Sequence, residues 1–204
     1  IGEKSAQAKA YEDDIKAQEA KIVQMEAEIK KKEAEEAAKK AAEEAARKAA
    51  AAGKTNNSTA KGNTGSTTTT STGSSSLRWP CPASGRITSG FGNRKSPTAG
   101  ASSNHKGIDI SASTGSSIVA AAGGTVSIAT YSYSAGNYVV VNHGNGLSTV
   151  YMHCSQLLVS AGDTVKAGQT IAKVGSTGYS TGSHLHFAVR KNGSYVNPSS
   201  YVSP

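Results

Sequence analysis

Ser183-His184-Leu185-His186-Phe187 sets two histidines two positions apart inside an apolar run. Successive side chains of a strand point to opposite faces, so this spacing predicts a strand with both imidazoles on one face and Leu185 and Phe187 on the other. Burial of Leu185 and Phe187 would lock the strand and fix the aim of the two rings. Upstream, Asn104-His105-Lys106-Gly107-Ile108-Asp109-Ile110 offers another imidazole and a carboxylate, and Tyr151-Met152-His153 a further imidazole. Two His and one Asp make a workable ligand set for a catalytic zinc with an open position for water. Spacing alone leaves open which histidine of the pair would bind the metal. A single histidine is more often a surface or satisfied core residue, and an isolated His-x-His is a weak metal signal; the argument rests on the conjunction.

Around this stretch the chain from about residue 77 onward is expected to be all-β. Runs rich in Val, Ile and Tyr at 117–122, 124–129, 137–142, 147–153, 164–165, 170–174, 184–189 and 195–196 alternate with Gly, Asn and Ser turns. Asn145-Gly146 is a strong hairpin signal, and His143 just before it reads as a turn or edge residue, not a ligand. About 125 residues of short strands can enclose one core. Gly162-Asp163-Thr164-Val165 through Gly175 is similar to strands of biotinyl and lipoyl carrier domains, but those need a lysine at a hairpin tip. Neither Gly123-Gly124-Thr125 nor Gly175-Ser176-Thr177 supplies one, so the similarity points to sheet architecture alone.

The string His105-x-x-x-Asp109, Tyr151-x-His153 and Thr177-Gly178-x-Ser180-Thr181-Gly182-x-His184-Leu185-His186-Phe187 resembles the lysostaphin-type zinc metallopeptidases that cut peptidoglycan peptides. The resemblance covers Trp79 to Pro204 and takes in four of the five histidines of the chain. It implies an antiparallel peptidase fold with one zinc on His105, Asp109 and His186, while His184 and His153 serve the water and the scissile carbonyl. Relatives often carry Glu where Ala188 stands, a position outside the metal set. Arg94, in Phe91-Gly92-Asn93-Arg94, matches a recurrent segment of the family, and packing is favoured over substrate contact as its role. Specificity, Gly–Gly bridge or D-amino-acid stem peptide, is expected to lie in loops such as 131–136 and 96–103.

Residues 1–52 read as a helical coiled-coil arm. Ile1, Ala8, Ile15, Ile22 and Ile29 fall seven apart, with Tyr11 and Met25 on the intermediate positions; Gln18 and Lys32 spoil the second seam. From Lys31 to Ala52 the composition is nearly all Ala, Glu and Lys, a solvated rod, and Gly53 is placed to end it. Residues 53–76 are a Gly/Ser/Thr/Asn tract with nothing to bury, expected to be a flexible linker ahead of a peptidase domain at 77–204. The apolar stripe needs a partner, which can be a second copy, an upstream helix or the catalytic domain itself. Resemblance to coiled-coil wall hydrolases implies control, with helices holding or covering the active-site groove until a membrane regulator pulls them away.

Charge divides the chain. Residues 1–76 hold 13 Lys and Arg against 12 Asp and Glu, a net of +1, and residues 77–204 hold 9 against 2, a net of +7. The basic domain suits anionic wall polymers as partners beside peptidoglycan. Nucleic acid is not expected, since no Arg-rich helix, zinc-finger spacing or aromatic-basic motif occurs. No apolar run approaches membrane-span length. With Ile1 first, a secretion signal is expected to lie outside this sequence, and the protein at the outer face of the membrane or in the cell wall. Cys81 and Cys154 can form one bridge tying the entry of the domain to the floor of the site, or stand as two buried free thiols. Two rival classes accompany the enzyme: a non-catalytic coiled-coil regulator of other wall hydrolases, against which the intact histidine set speaks, and an adhesive wall-binding module.

Overall fold

Leu185, Phe187 and Val189 are fully buried in the core while His184, His186, Ala188 and Arg190 occupy the opposite face, so the strand at 184–191 alternates as its sequence dictates. The computed structural model describes residues 2–52, 77–95 and 103–204, without the side chains of residues 2–8, 11, 33, 37 and 47–52. The expected linker at 53–76, loop residues 96–102, Ile1 and the seam side chains of Ala8 and Tyr11 lie outside the described residues.

One helix, α1 (Gly2–Ala52), precedes the strands. In chain order these are β1 (Ile87–Ser89), β2 (Gly92–Asn93), β3 (Asn104–His105), β4 (Ile108–Ser111), β5 (Ser117–Val119), β6 (Gly124–Ser132), β7 (Gly136–Asn142), β8 (Leu147–Cys154), β9 (Gln156–Leu157), β10 (Thr164–Val165), β11 (Thr170–Lys173), β12 (His184–Lys191) and β13 (Ser194–Val196). The main sheet is ordered β1-β4-β12-β8-β7-β6-β10, and β13 pairs with β12 beyond the end of β4. A smaller sheet, β5-β11-β9, brings Ile118, Ile171 and Ala172 into the same core as Val139, Val141, Tyr151 and Phe187. All these pairings are antiparallel, as the short alternating runs predict. Between β7 and β8, Asn145 and Gly146 take φ of 53° and 71°, the left-handed backbone that the Asn-Gly pair is suited to. His143 hydrogen-bonds Gly123 O and Thr149 Oγ1, both at 2.8 Å, a satisfied turn histidine. Cys81 and Cys154 are free thiols, both buried in the core, and burial pushes Cys154 up to about 12.

The chain forms two compact units, one of residues 1–28 with 76–204 and the other of Ile29–Ser75. In the second unit the described part of the helix is largely solvated and carries the pairs Lys31–Glu35 and Glu36–Lys40 at 3.9 and 2.8 Å. In the first, Ile22 of the stripe is covered by the β domain. Ile22 is buried in a cluster with Ile128, Ala135, Tyr138, Val140, Val150 and Ala188, with Met25 packed alongside. Val140, Val150 and Ala188 are on the sheet face opposite the main core, the face to which His184 and His186 also point. Burying one Ile there stabilises docking by about 1.5–3 kcal/mol. Among the described residues, no helix is long and apolar enough to cross a membrane.

Candidate metal centre

β4 and β12 lie side by side with His186 opposite Asp109, so the carboxylate and the imidazole meet across the pair: His186 Nδ1 is 2.9 Å from Asp109 Oδ1. His105 comes from β3, which pairs with β2, and its Nε2 lies 3.1 Å from Asp109 Oδ1 and 3.0 Å from His186 Nδ1. The ligand atoms of His105, Asp109 and His186 all fall within 4.8 Å of one another. Gly107 is required here. A Cβ added to it would come within 2.5 Å of Phe187 O and 2.7 Å of His186 Nε2, so any larger residue would displace the strand or the ring.

His153 enters by a different route. Strict alternation along β8 would put it on the core side with Tyr151, because Met152 is directly opposite His186. Its backbone takes φ of 65°, and the β7–β8 register slips between Asn137 and Val139. This bulge resets the alternation by one residue: Cys154 drops into the core and the His153 ring lands 4.8 Å from that of His184 and 6.1 Å from that of His186. A left-handed histidine costs of order 1 kcal/mol or more, and the surroundings hold it in place. Its N–H donates to Ala135 O at 2.8 Å, and Thr177 Oγ1, 2.7 Å from Cys154 O, braces the next residue.

Backbone carbonyls set the tautomers. Nδ1 of His105 lies 2.7 Å from Gly90 O, that of His153 2.9 Å from Thr177 O and that of His184 2.8 Å from Gly182 O. A carbonyl accepts only, so each Nδ1 carries the proton, and Nε2 is left with a lone pair. The Nε2 of His184 is 3.7 Å from Asp109 Oδ1. Burial alone would raise Asp109, but the close approach of the His105 and His186 rings to its carboxylate holds it far below the usual carboxylate range. Burial, aided by the neighbouring His186 and His184, pushes His153 down to about 3; His186 is lowered by burial too, against the pull of Asp109. The pocket thus sets one carboxylate beside two imidazoles, His153 and His186, that burial biases toward the neutral form. The donor set of His105, Asp109 and His186 fits a divalent zinc: three N and O atoms lie close together, and the second nitrogen of His105 is tied back to Gly90 O.

All five residues singled out in the sequence come together here. Arg94 does more than pack: its Nη1 donates to Asp109 Oδ2 at 2.9 Å and also to Ser89 Oγ, which leaves Oδ1 to face the imidazoles. Thr177 and Lys106 are the residues whose part was not evident. Thr177 lay inside the recognised string without a role, and Lys106 directly follows His105, the one signal that could have drawn attention to it.

Residues 103–198 match the sequence profile of peptidase family M23. The chain is 47% identical over 123 residues to an uncharacterized metalloprotease of Haemophilus influenzae, a match covering 59% of this chain and 26% of that protein. It is 40% identical over 120 residues to the peptidoglycan DD-endopeptidase ShyC of Vibrio cholerae, covering 58% of this chain and 28% of that one. The chain therefore spans about a quarter of the length of these curated relatives. Among solved structures it is similar to the catalytic domain of lysostaphin from Staphylococcus simulans, with a TM-score of 0.52 and 33% identity, over 57% of this chain and 90% of that domain.

Proposed function

This chain belongs to peptidase family M23, and from that membership we propose that it is a zinc-dependent endopeptidase of bacterial peptidoglycan, acting on stem or cross-bridge peptides in the cell wall or at the outer face of the membrane. The observation that carries the proposal is the convergence of His105, Asp109 and His186 within 4.8 Å, with His153 and His184 beside them. His105, Asp109 and His186 would hold the metal. Bound there, zinc would supply Lewis acidity, polarising a carbonyl and acidifying a water molecule.

The remaining chemistry belongs to the chain. Arg94 fixes the Asp109 carboxylate by one oxygen and aims the other into the site. His153 and His184 each turn Nε2 toward the site because the other nitrogen is tied to a backbone carbonyl. Between them they take a proton from the attacking water and deliver one to the departing amine, so the amide bond breaks with no net change of charge on the protein. The oxyanion that forms on the carbonyl lies among these same groups.

The helix would restrain this activity. It occupies the sheet face that bears the histidines and grips both flanks of the site. On the β7 side Asp14 Oδ2 accepts from the Ser134 N–H at 2.9 Å, and Gln18 Nε2 donates to Ser134 Oγ at 2.6 Å and to Ser132 Oγ. On the β4 side Glu19 pairs with Lys106. Farther along, Glu26 pairs with the buried Arg190 at 2.8 Å and accepts from Ser148 Oγ at 2.6 Å. A substrate peptide lying along β12 past His186 would have to displace these contacts. The coiled-coil role of the arm toward a second chain or a membrane regulator would then compete with docking for the same Ile stripe.

The proposal is tested by zinc analysis of purified protein and mass spectrometry of muropeptides released from peptidoglycan, with and without chelator and with His153→Ala. Cleaved peptide bonds that vanish with chelator and in the variant support the enzyme. A zinc-bearing protein that releases nothing even when the helix is displaced would instead favour the regulator or wall-binding reading.

A further inference from the structure

We propose that Lys106 is a substrate-binding, specificity-determining residue that receives a carboxylate of the peptide next to the bond to be cut, and that Glu19 of the helix occupies its place as a built-in substitute. The proposal rests on the hydrolase reading of the site and adds the substrate class to it: a peptide with free carboxylates.

Three observations converge on Lys106. The first is position. It directly follows His105 and leads into β4, at the point where the edge of β12 passes from β4 to β13. The second is support. Its ammonium stands 5.4 Å over the ring of Tyr195, whose ring also takes the Arg190 guanidinium at 5.2 Å, so the cation is held against an aromatic wall. The third is the lack of any acid of its own domain to pair with. Residues 77–204 contain two carboxylates, Asp109 and Asp163. Asp109 is engaged by Arg94 and the histidines, and Asp163 caps the Ser160 N–H at 2.8 Å. The carboxylate on Lys106 therefore comes from outside the domain, from a helix segment, residues 1–28, that holds 7 acids and 4 bases.

The rest of that segment behaves in the same way. Asp14, Glu19 and Glu26 each bring a carboxylate to a donor of the domain: the Ser134 amide, Lys106 and Arg190. Ser134 adjoins Ala135, whose carbonyl holds the His153 N–H, so this donor too borders the site. An extended acidic peptide could satisfy the same groups only by replacing the helix. A tether, by contrast, would hold the helix without any preference of the vacated site for acids.

The test uses the full chain, loaded with zinc, and two uncleavable stem-peptide analogues with a reduced scissile bond, identical except that one carries free carboxylates and the other carboxamides. Binding of each is measured by fluorescence anisotropy for the wild type, Glu19→Gln, Lys106→Met and the double variant. Glu19→Gln is expected to raise the acid-over-amide preference about tenfold, the size of one charge-assisted hydrogen bond gained. Lys106→Met is expected to bring that preference close to unity in both backgrounds. An unchanged preference in Lys106→Met, or equal tightening of both analogues in Glu19→Gln, would overturn the proposal and leave Lys106 as a tether. Cleavage of the corresponding ordinary peptides is scored separately: an acid preference without cleavage would defeat the hydrolase reading and leave the Lys106 site standing.

Discussion

One face of one sheet carries two patches that are built on opposite principles. At the end formed by β4, β12 and β8, polar side chains are held by the backbone itself: three histidines are tied to carbonyls, and Asp109 is tied to Arg94. At the end formed by β6, β7 and the far part of β12, small and apolar residues take Ile22 of the helix, and the polar groups around them are completed by helix carboxylates. The first patch is completed by residues of the β domain itself, among them His105, Arg94 and Thr177. The second is completed by a segment more than a hundred residues away in sequence.

The largest effects should fall on the first patch. His105→Ala, Asp109→Ala and His186→Ala should each lose both zinc and turnover. His153→Ala and His184→Ala should keep zinc while kcat falls about 10²–10⁴-fold, the range for lost acid–base groups. Metal analysis beside muropeptide release checks this, and equal zinc loss in all five would erase the division between metal ligands and proton carriers.

The second patch should respond in stability of docking. Ile22→Ala should weaken the helix by about 2–4 kcal/mol, as for other buried large-to-small changes. Val23→Ala, one residue along and 51% exposed, should stay within about 0.5 kcal/mol. Hydrogen exchange of amides 14–28 reads both; similar effects at the two positions would mean that the seat does not hold the helix.

Much of the first patch was legible in the sequence because period-two alternation and ordered motifs are local signals. His184, His186 and their buried partners Leu185 and Phe187 follow from that period alone. The position of His153 does not: alternation assigns it to the core, and the family resemblance, not the pattern, brought it to the site. The helix was legible as a helix with an Ile stripe, but what covers Ile22 depends on Tyr138, Val140, Val150 and Ala188 meeting from three strands. Nothing in the spacing of Arg190 or Lys106 announces a carboxylate partner on α1, because tertiary pairing of that kind leaves no periodic trace. Likewise the two cysteines carry no local cue to their state, and the structure has both as free thiols.

Smaller effects sharpen the contrast at its edges. Denatured, unreduced protein should titrate two thiols per chain, and reductant should leave its Tm unchanged; absence of thiol would mean that Cys81 and Cys154 are bridged. His143, satisfied within the fold, should be replaceable without loss of zinc. Burial lowers its pKa, so the unfolded chain binds the proton first, and its share of stability is present above the ordinary histidine value of about 6.5 and erodes as the pH falls below it. Urea midpoints at pH 7.5 and 5 should therefore converge slightly in His143→Phe; a wider gap between them would contradict that sign.

The claim that the second patch governs access to the first is tested most directly by Ile22→Asp in the full chain, which places a carboxylate among Val140, Val150 and Ala188 and drives the helix off its seat. Rates of peptidoglycan cleavage are compared with the wild type at equal zinc occupancy. The account predicts faster cleavage by the variant with unchanged zinc content. Equal or slower cleavage, with hydrogen exchange showing the helix released, would contradict it.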